Sequence, residues 1–278
     1  MNVAPALDAI AAAADLANPA KAGDYEKDGL LYCGKCNGKK QIIVPWPDGT
    51  HHKVGCLCKC AKAALDAAEQ RRKAEEEQRR INALRVNGIQ DKALRACTFG
   101  NSLSLPMIGK ARRYVDKWPQ MLDENIGLLM WGDTGNGKTY AAACIANALI
   151  DSGVPVLATS FSKILSAVTG MFTDERVAYI ESLQEFPLLI LDDLGAERQS
   201  QFALETVYTV IDNRYKAKLP VIVTTNIPLA ELRNAPSMDY QRIYDRLLEM
   251  CVPLHFTGES LRKAAAADKL NAARKLFE

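Results

Sequence analysis

Residues 128–143 read LLMWGDTGNGKTYAAA, and this stretch decides the fold. The apolar run Ile126–Trp131 is typical of a buried strand, and the alanine-rich run Thr139–Leu149 is typical of a helix. Between them lies the pattern G-x-x-x-x-G-K-[ST], in which glycines allow backbone amides to face phosphate oxygens. We expect nucleotide to contact the loop and the start of the helix at Gly132, Asp133, Thr134, Gly135, Asn136, Gly137, Lys138, Thr139 and Tyr140.

Two side chains of this loop carry their own chemistry. Lys138 offers a positive charge to the β- and γ-phosphates, and the helix that starts there adds its positive end. The hydroxyl of Thr139 is a suitable ligand for Mg²⁺. The loop therefore predicts ATP and Mg²⁺ as cofactors.

A pair of carboxylates follows a second apolar strand, in FPLLILDDLGAE at 186–197. The continuous apolar run Phe186–Leu191 is what a parallel strand buried on both faces requires. Ligands of open α/β sheets bind at the carboxyl ends of the strands, and two adjacent carboxylates there need a cation between them. We expect Asp192 to organise Mg²⁺ and Asp193 to polarise an attacking water molecule.

A third apolar strand, Val221–Thr225, ends in the same way, in VIVTTNI. Its next residue, Asn226, suits a hydrogen bond to the γ-phosphate or to the attacking water. The alternative is a turn-forming Asn ahead of Pro228.

Two arginines lie one helical turn apart in RIYDRL at 242–247, within the helix predicted over Asp239–Met250. An arginine directed at the γ-phosphate of a neighbouring subunit would stabilise the charge of phosphoryl transfer. Arg242 and Arg246 are both candidates, and Arg262 follows in GESLRK. The alternative for each is a solvated surface arginine.

The pattern around these motifs alternates between strand and helix. Val154–Thr159 reads as a strand, Ser162–Thr169 as a helix, and Phe202–Lys218 as an amphipathic helix. Such alternation predicts an α/β fold with a parallel sheet flanked by helices.

Composition narrows the functional classes. The 278 residues carry 35 basic and 33 acidic side chains, and the resulting charge of 35 − 33 = +2 implies no polyanion partner by itself. The sequence contains no run of about 18 apolar residues, so it predicts no membrane span. The N-terminal residues make a poor signal peptide, so we expect a cytoplasmic location.

Five of the eight cysteines lie between 33 and 60, in LYCGKCNGKK and GCLCKC. This clustering is typical of metal ligation rather than of a disulfide framework. Cys33 and Cys36 form one half of a predicted zinc site, and Cys56, Cys58 and Cys60 offer three thiols where two suffice. The alternative is a set of spare cytosolic thiols.

The region behind this module, 61–85, is rich in Ala, Glu, Arg and Lys, and it predicts a helix. A solvated helix with i,i+4 ion pairs and a partner-binding arm are both consistent with it. We therefore divide the chain into an Ala-rich segment, a zinc module, a charged linker helix and an ATPase domain, at 1–29, 30–62, 63–97 and 98–278.

Taken in order, GDTGNGKT, LLILDDLGAE, VIVTTN and RIYDRL resemble the AAA+ ATPases of the DnaC/DnaI type, over residues 98–262. These are bacterial and phage helicase loaders, and the transposition helper IstB is a close relative. The resemblance implies an ASCE-type P-loop ATPase that forms open or spiral oligomers, binds single-stranded DNA and delivers a hexameric DnaB-type replicative helicase.

The resemblance also implies roles for single residues. Lys138 and Thr139 become Walker A, Asp192 and Asp193 Walker B, Asn226 sensor 1, Arg246 the arginine finger and Arg262 sensor 2. Phage relatives favour Cys56 and Cys58 as the second pair of zinc ligands, with Cys60 as the alternate. The Asp-Asp Walker B pair replaces the commoner Asp-Glu, and its shorter side chain predicts weak hydrolysis by the chain alone.

Alternative functions remain in the sequence. An IstB-like helper of DNA transposition would use the same core, whereas the cysteine module and the charged helix favour the loader. A small-molecule kinase would not need Asn226 and the arginine helix, and a non-enzymatic zinc protein would not need the phosphate loop. For single-stranded DNA, Phe161 could stack on a base and Lys163 could pair with a phosphate, or Phe161 could belong to the core.

Overall fold

The structure, a computed structural model, describes residues 18–46, 48–101, 107–196, 200–235, 237–258, 260, 263, 266, 269–270, 273–274 and 277. The chain divides into two compact units, Met1–Gln78 and Arg79–Glu278. Across the described ranges, none of the helices combines the length and the apolar character that crossing a bilayer demands.

Among its described residues, the first unit contains two antiparallel hairpins, each of two strands. Their strands are β1 (Tyr25–Lys27), β2 (Leu30–Tyr32), β3 (Gln41–Pro45) and β4 (His51–Gly55). A buried ion pair at 2.6 Å joins Lys40 Nζ to Asp24 Oδ2. The hydrogen bond from Lys40 lowers the pKa of Asp24 to about 2, so this small unit keeps a fixed charge pair in its interior.

Helix α1 (Lys59–Gly88) is 30 residues long, and the boundary between the two units falls within it. Strong helix formers and i,i+4 ion pairs explain why it forms, since Lys73 Nζ lies 2.8 Å from Glu69 Oε1. Its side chains are exposed over most of its length, which is the solvated alternative of the sequence analysis.

The second unit is built on one five-stranded parallel sheet. Its strands are β5 (Gly127–Trp131), β6 (Val156–Ser160), β7 (Leu188–Leu194), β8 (Val221–Thr225) and β9 (Cys251–His255). Their order across the sheet is β6-β7-β8-β5-β9. The strand that precedes the phosphate loop therefore neighbours β8, and β8 in turn neighbours the strand of the two aspartates.

Helices cover both faces of this sheet, so the predicted α/β fold with a parallel sheet flanked by helices is confirmed. They are α2 (Ile108–Asp116), α3 (Trp118–Asp123), α4 (Lys138–Asp151), α5 (Phe161–Val168), α6 (Thr173–Ser182), α7 (Gln201–Ala217), α8 (Leu229–Arg233) and α9 (Met238–Met250). One apolar core lies under α5, α6, α7 and α9, and a second lies under α2 and α4. The carboxyl ends of all five strands lie at the same end of the sheet, and the polar motif residues lie there.

Arg214 of α7 is fully buried and links the segments that precede β7 and β8, at the end of the sheet opposite to the motif residues. Its guanidinium donates to the carbonyls of Phe186 at 2.8 Å, Pro187 at 3.1 Å and Pro220 at 2.5 Å. Burial lowers the pKa of Arg214 to about 10. Because these carbonyls lie just before β7 and β8, the arginine fixes where both strands start.

For Phe161 the sequence left two alternatives, stacking on a DNA base or a place in the core. The side chain is 1% exposed and packs in the core, so the core alternative is confirmed. Lys163, two residues later, is exposed. The edge strand β9 was absent from the sequence prediction, because Pro253 interrupts a short CVPLH run and proline is tolerated only at sheet edges.

Candidate functional site

The phosphate loop connects β5 to α4 and adopts the backbone that its glycines allow. Gly132, Gly135 and Gly137 have φ of 137°, 91° and 87°, a region that favours glycine. A Cβ at Gly132 would also collide with the carbonyl of Phe256. A hydrogen bond also holds the loop against Phe256, because the buried side-chain amide of Asn136 donates to the Phe256 carbonyl oxygen at 3.2 Å. Asn136 therefore shapes the loop.

Lys138 is the first residue of α4, and only 5% of it is exposed. Its ammonium donates to the carbonyls of Gly132 at 2.7 Å and Asp133 at 2.8 Å. It also donates to Asn226 Oδ1 at 2.8 Å. The fold thus brings the loop lysine and the strand-end asparagine into direct contact across 88 residues of chain.

Asp192 accepts two short hydrogen bonds at the end of β7. Thr139 Oγ1 donates to its Oδ1 at 2.8 Å, and Thr224 Oγ1 donates to the same oxygen at 2.6 Å. Desolvation raises the pKa of Asp192, and the two hydroxyls oppose that rise. A threonine hydroxyl beside a carboxylate is a donor set that Mg²⁺ accepts.

A cavity of about 260 Å³ opens above these groups. It is lined by Leu94, Thr134, Gly135, Gly137, Lys138, Thr139, Tyr140, Asp193 and Asn226. An adjoining cavity of about 180 Å³ also contains Thr139 and both aspartates. Leu94, in a 3₁₀ turn far upstream of the loop, belongs to no motif, and it is a lining residue that the sequence analysis missed.

The arginines of α9 face α7 of the same chain. Arg246 Nη2 lies 2.8 Å from Asp212 Oδ1 and donates to the Tyr208 hydroxyl at 3.0 Å. The rings of Tyr208 and Tyr215 lie 4.8 and 5.6 Å from its Cζ. Arg242 is exposed and lines a groove between α7 and α9. Arg262 lies outside the described residues.

Four cysteines of the first unit come together. The Sγ atoms of Cys33, Cys36, Cys58 and Cys60 all lie within 4.8 Å of one another. Cys60 lies 3.5 Å from both Cys33 and Cys58, near the spacing of about 3.8 Å that tetrahedral Zn–S bonds of about 2.3 Å imply.

Cys60 takes the place expected for Cys56, and the sequence preference between them is corrected. Cys60 lies in the first turn of α1, whereas the Sγ of Cys56 is directed at the Lys39 carbonyl, 3.4 Å away. Burial raises the pKa of Cys56. The helix start thus selects the i,i+2 pair Cys58 and Cys60.

The thiols of the cluster influence one another strongly. Hydrogen bonds, first from the Cys60 backbone and then from the Gly38 backbone, lower the pKa of Cys36 to about 6. Neighbouring thiols raise the pKa of Cys60 to about 12, Cys58 first and then Cys33. A divalent cation bound among the four sulfur atoms would stabilise their thiolate forms.

Comparison with known proteins extends these observations. Residues 110–269, which are 269 − 110 + 1 = 160 of the 278, match the family described as IstB-like ATP binding protein. The chain belongs to this family. The resemblance drawn from the four motifs is thereby confirmed at the level of the ATP-binding family.

Relatives of two kinds share the sequence. The replicative helicase loader DnaC of Escherichia coli is 26% identical over 190 residues, 65% of this chain and 73% of DnaC. The replicative helicase loader DnaI of Bacillus subtilis is 23% identical over 245 residues, 83% of this chain and 78% of DnaI. An insertion sequence ATP-binding protein of Sinorhizobium fredii is 29% identical over 217 residues, 73% of this chain and 69% of that protein.

Solved structures share the fold. A crystal structure of the DnaC helicase loader has a TM-score of 0.52 at 21% identity, and it covers 60% of this chain and 100% of its own. A crystal structure of DnaI has a TM-score of 0.51 at 24% identity, and the match covers 61% of this chain and 93% of the DnaI chain. The parallel sheet with its flanking helices is therefore common to this chain and both loaders.

Proposed function

We propose that this chain binds Mg·ATP and hydrolyses it to drive the loading of a hexameric replicative helicase. The observation that carries the ATPase proposal is the convergence of three strand ends. Lys138 bonds Asn226, and Thr139 bonds Asp192, across separations of 88 and 53 residues. A glycine-rich turn that arose by chance would not be expected to bring these four side chains into contact.

The residues present fit the nucleotide and its metal. The three glycines with positive φ leave the loop backbone open to phosphate. The buried Lys138 ammonium donates hydrogen bonds to loop carbonyls, and phosphate oxygens can replace these carbonyls as its acceptors. Thr139 and Asp192 would hold Mg²⁺, which when bound neutralises charge on the phosphates. Asp193 and Asn226 line the cavity as the groups that orient water.

We propose the loader role because two relatives named replicative helicase loaders match the chain over about two thirds of its length or more. The insertion sequence relative keeps a transposition helper as the second candidate. The cysteine cluster favours the loader. A replication role implies action in the bacterial cytoplasm.

We propose that the four clustered thiolates bind one structural Zn²⁺. Its closed set of four protein ligands suits a structural site rather than a catalytic one. The module then presents basic side chains and the exposed β3 residues Ile42 and Ile43, and we assign it to partner contact, with helicase or with DNA.

Assembly and single-stranded DNA binding complete the proposal. In an ATP-dependent ring or spiral, Arg246 would act on the ATP of the adjacent subunit, and its release from Asp212 would accompany assembly. For DNA, Phe172 replaces Phe161 as the aromatic candidate. It is 81% exposed between α5 and α6, so its ring is open to stacking on a base.

A capture experiment tests this function. The full chain, immobilised, is incubated with a DnaB-type helicase, with ATP and without it, beside the Lys138→Ala variant. We expect ATP-dependent helicase retention by the parent and none beyond the ATP-free level by the variant. Absence of helicase retention, together with ATP-stimulated retention of a transposase, would instead support the transposition helper.

A further inference from the structure

The strand that carries the two aspartates has an irregularity at the position of the pair. In the parallel pairing of β7 with β8, Leu191 aligns with Val223, and the next aligned pair is Leu194 with Thr225. Two residues of β7, Asp192 and Asp193, therefore oppose the single residue Thr224. This is a β-bulge, a feature that is rare between parallel strands and that re-aims side chains next to active sites.

Thr224 bonds both members of the pair. Its hydroxyl donates to Asp192 Oδ1 at 2.6 Å, and the same oxygen accepts the N–H of Asp193 at 3.0 Å. One hydroxyl can do both, because it carries one proton and two lone pairs. Thr224 is fully buried, so water cannot take over either bond.

The second of these bonds fixes an unusual backbone. Asp193 has φ of 57°, in the left-handed region that residues with a side chain rarely adopt. The Asp193 side chain is exposed and lines the cavity that contains Lys138 and Asn226. A regular strand would have placed successive side chains on opposite faces of the sheet. The bulge instead leaves Asp192 and Asp193 both bordering one cavity system.

We propose that Thr224 is a positioning residue for ATP hydrolysis, which it serves by holding the bulge that presents Asp193 to the cavity. The inference rests on the proposed ATPase function. The bulge also explains how the short Asp193 side chain reaches the cavity. The shifted backbone covers the distance that a longer glutamate side chain would otherwise cover.

The test compares kcat and KM for ATP, at saturating Mg²⁺, in the full-length parent and in Thr224→Val and Thr224→Ser. Val keeps the shape but not the hydroxyl, and Ser keeps the hydroxyl. We expect T224V to lower kcat about 10- to 100-fold, as small misplacements of reacting groups do, with KM within about threefold. T224S should restore kcat to within about threefold of the parent.

Thr206→Val is the matched control, since Thr206 is also a buried threonine, with its hydroxyl bonded to the Phe202 carbonyl within α7. It should leave kcat unchanged. Equal kcat values for T224V and T206V would overturn the inference, as would a failure of T224S to restore kcat. If T224V does not fold, T224S and T224A provide the same comparison of hydroxyl present and absent.

Failure of the proposed function is visible separately. A parent chain without ATPase activity contradicts the ATPase assignment, whereas an active parent whose kcat is unaffected by Asp193→Asn contradicts the role of Asp193 and with it the inference. If the parent is inactive, a crystal structure of T224V decides the structural inference. We expect the φ of Asp193 to leave the left-handed region, and an unchanged backbone at Asp193 would overturn it.

Discussion

Replacing Lys138 by methionine tests the nucleotide site most directly. The ammonium is buried and bonds three oxygens, those of Gly132, Asp133 and Asn226. In K138M these oxygens lose a donor, which water can replace at the exposed residues Asp133 and Asn226, while the carbonyl of the buried Gly132 is left without it. Since the cost of burying an ammonium also disappears, we expect the free energy of unfolding without ATP to change by less than about 1 kcal/mol.

The effect on ATP affinity is far larger. A hydrogen bond to a charged group contributes about 1.5–3 kcal/mol, and Lys138 would make one each to the β- and γ-phosphates. The loss of both, about 3–6 kcal/mol, raises the Kd for ATP roughly 10²- to 10⁴-fold, since about 1.4 kcal/mol corresponds to a factor of ten.

Thermal unfolding with and without ATP measures this difference. ATP at 100 times the parent Kd stabilises the parent by about 2.7 kcal/mol, and a 100-fold weaker variant by only about 0.4 kcal/mol. For a unit of this size, Met1–Gln78 excluded, the parent Tm should rise by roughly 5–10 °C and that of K138M by about 1 °C. Lys110→Met, on the exposed side of α2, should behave like the parent. An ATP-induced rise in K138M equal to that of the parent would refute the assignment.

Three further perturbations have definite expected outcomes. Purified chain should contain one zinc, which Cys60→Ser releases and Cys56→Ser retains, as metal analysis would measure; equal zinc in both variants contradicts the four-thiol set. Arg246→Ala should bind ATP normally but hydrolyse it poorly, and mixing it with Lys138→Ala should restore part of the activity; full activity of Arg246→Ala alone excludes the finger. Arg214→Ala should lose about 2–4 kcal/mol of unfolding free energy in urea, because buried carbonyls lose their donor, and a loss below about 1 kcal/mol would contradict this role.

The sequence predicts well those features whose information is contiguous. The phosphate loop is one uninterrupted stretch, and the strand Val221–Thr225 was predicted with its observed bounds. Apolar strands that are buried on both faces have no competing pattern, so β5 and β7 were also found. The start of β5 differs by one residue and its end agrees, whereas β7 starts two residues later and ends three residues later than predicted, because the strand continues through the two aspartates.

The features that escaped depend on three-dimensional choices between similar residues. Cys56 and Cys60 have equal chemistry and nearly equal spacing, and only the start of α1 selects Cys60. Phe161 and Phe172 flank the same helix, and which of them reaches the core depends on how α5 packs on the sheet. Periodicity within a helix of eight residues is too short to decide this.

Thr224 illustrates the deepest limit of sequence reading. VTT reads as ordinary strand, since β-branched residues fill buried parallel strands whatever their function. Its significance arises from the neighbouring strand, where one additional residue enters the pairing between Leu191 and Leu194 and turns Asp193 into a left-handed conformation. Neither strand alone records that register shift. A search for positioning residues therefore has to start from the sheet, by asking which buried hydroxyl opposes an acidic strand end, because the acid and its support belong to different segments of chain.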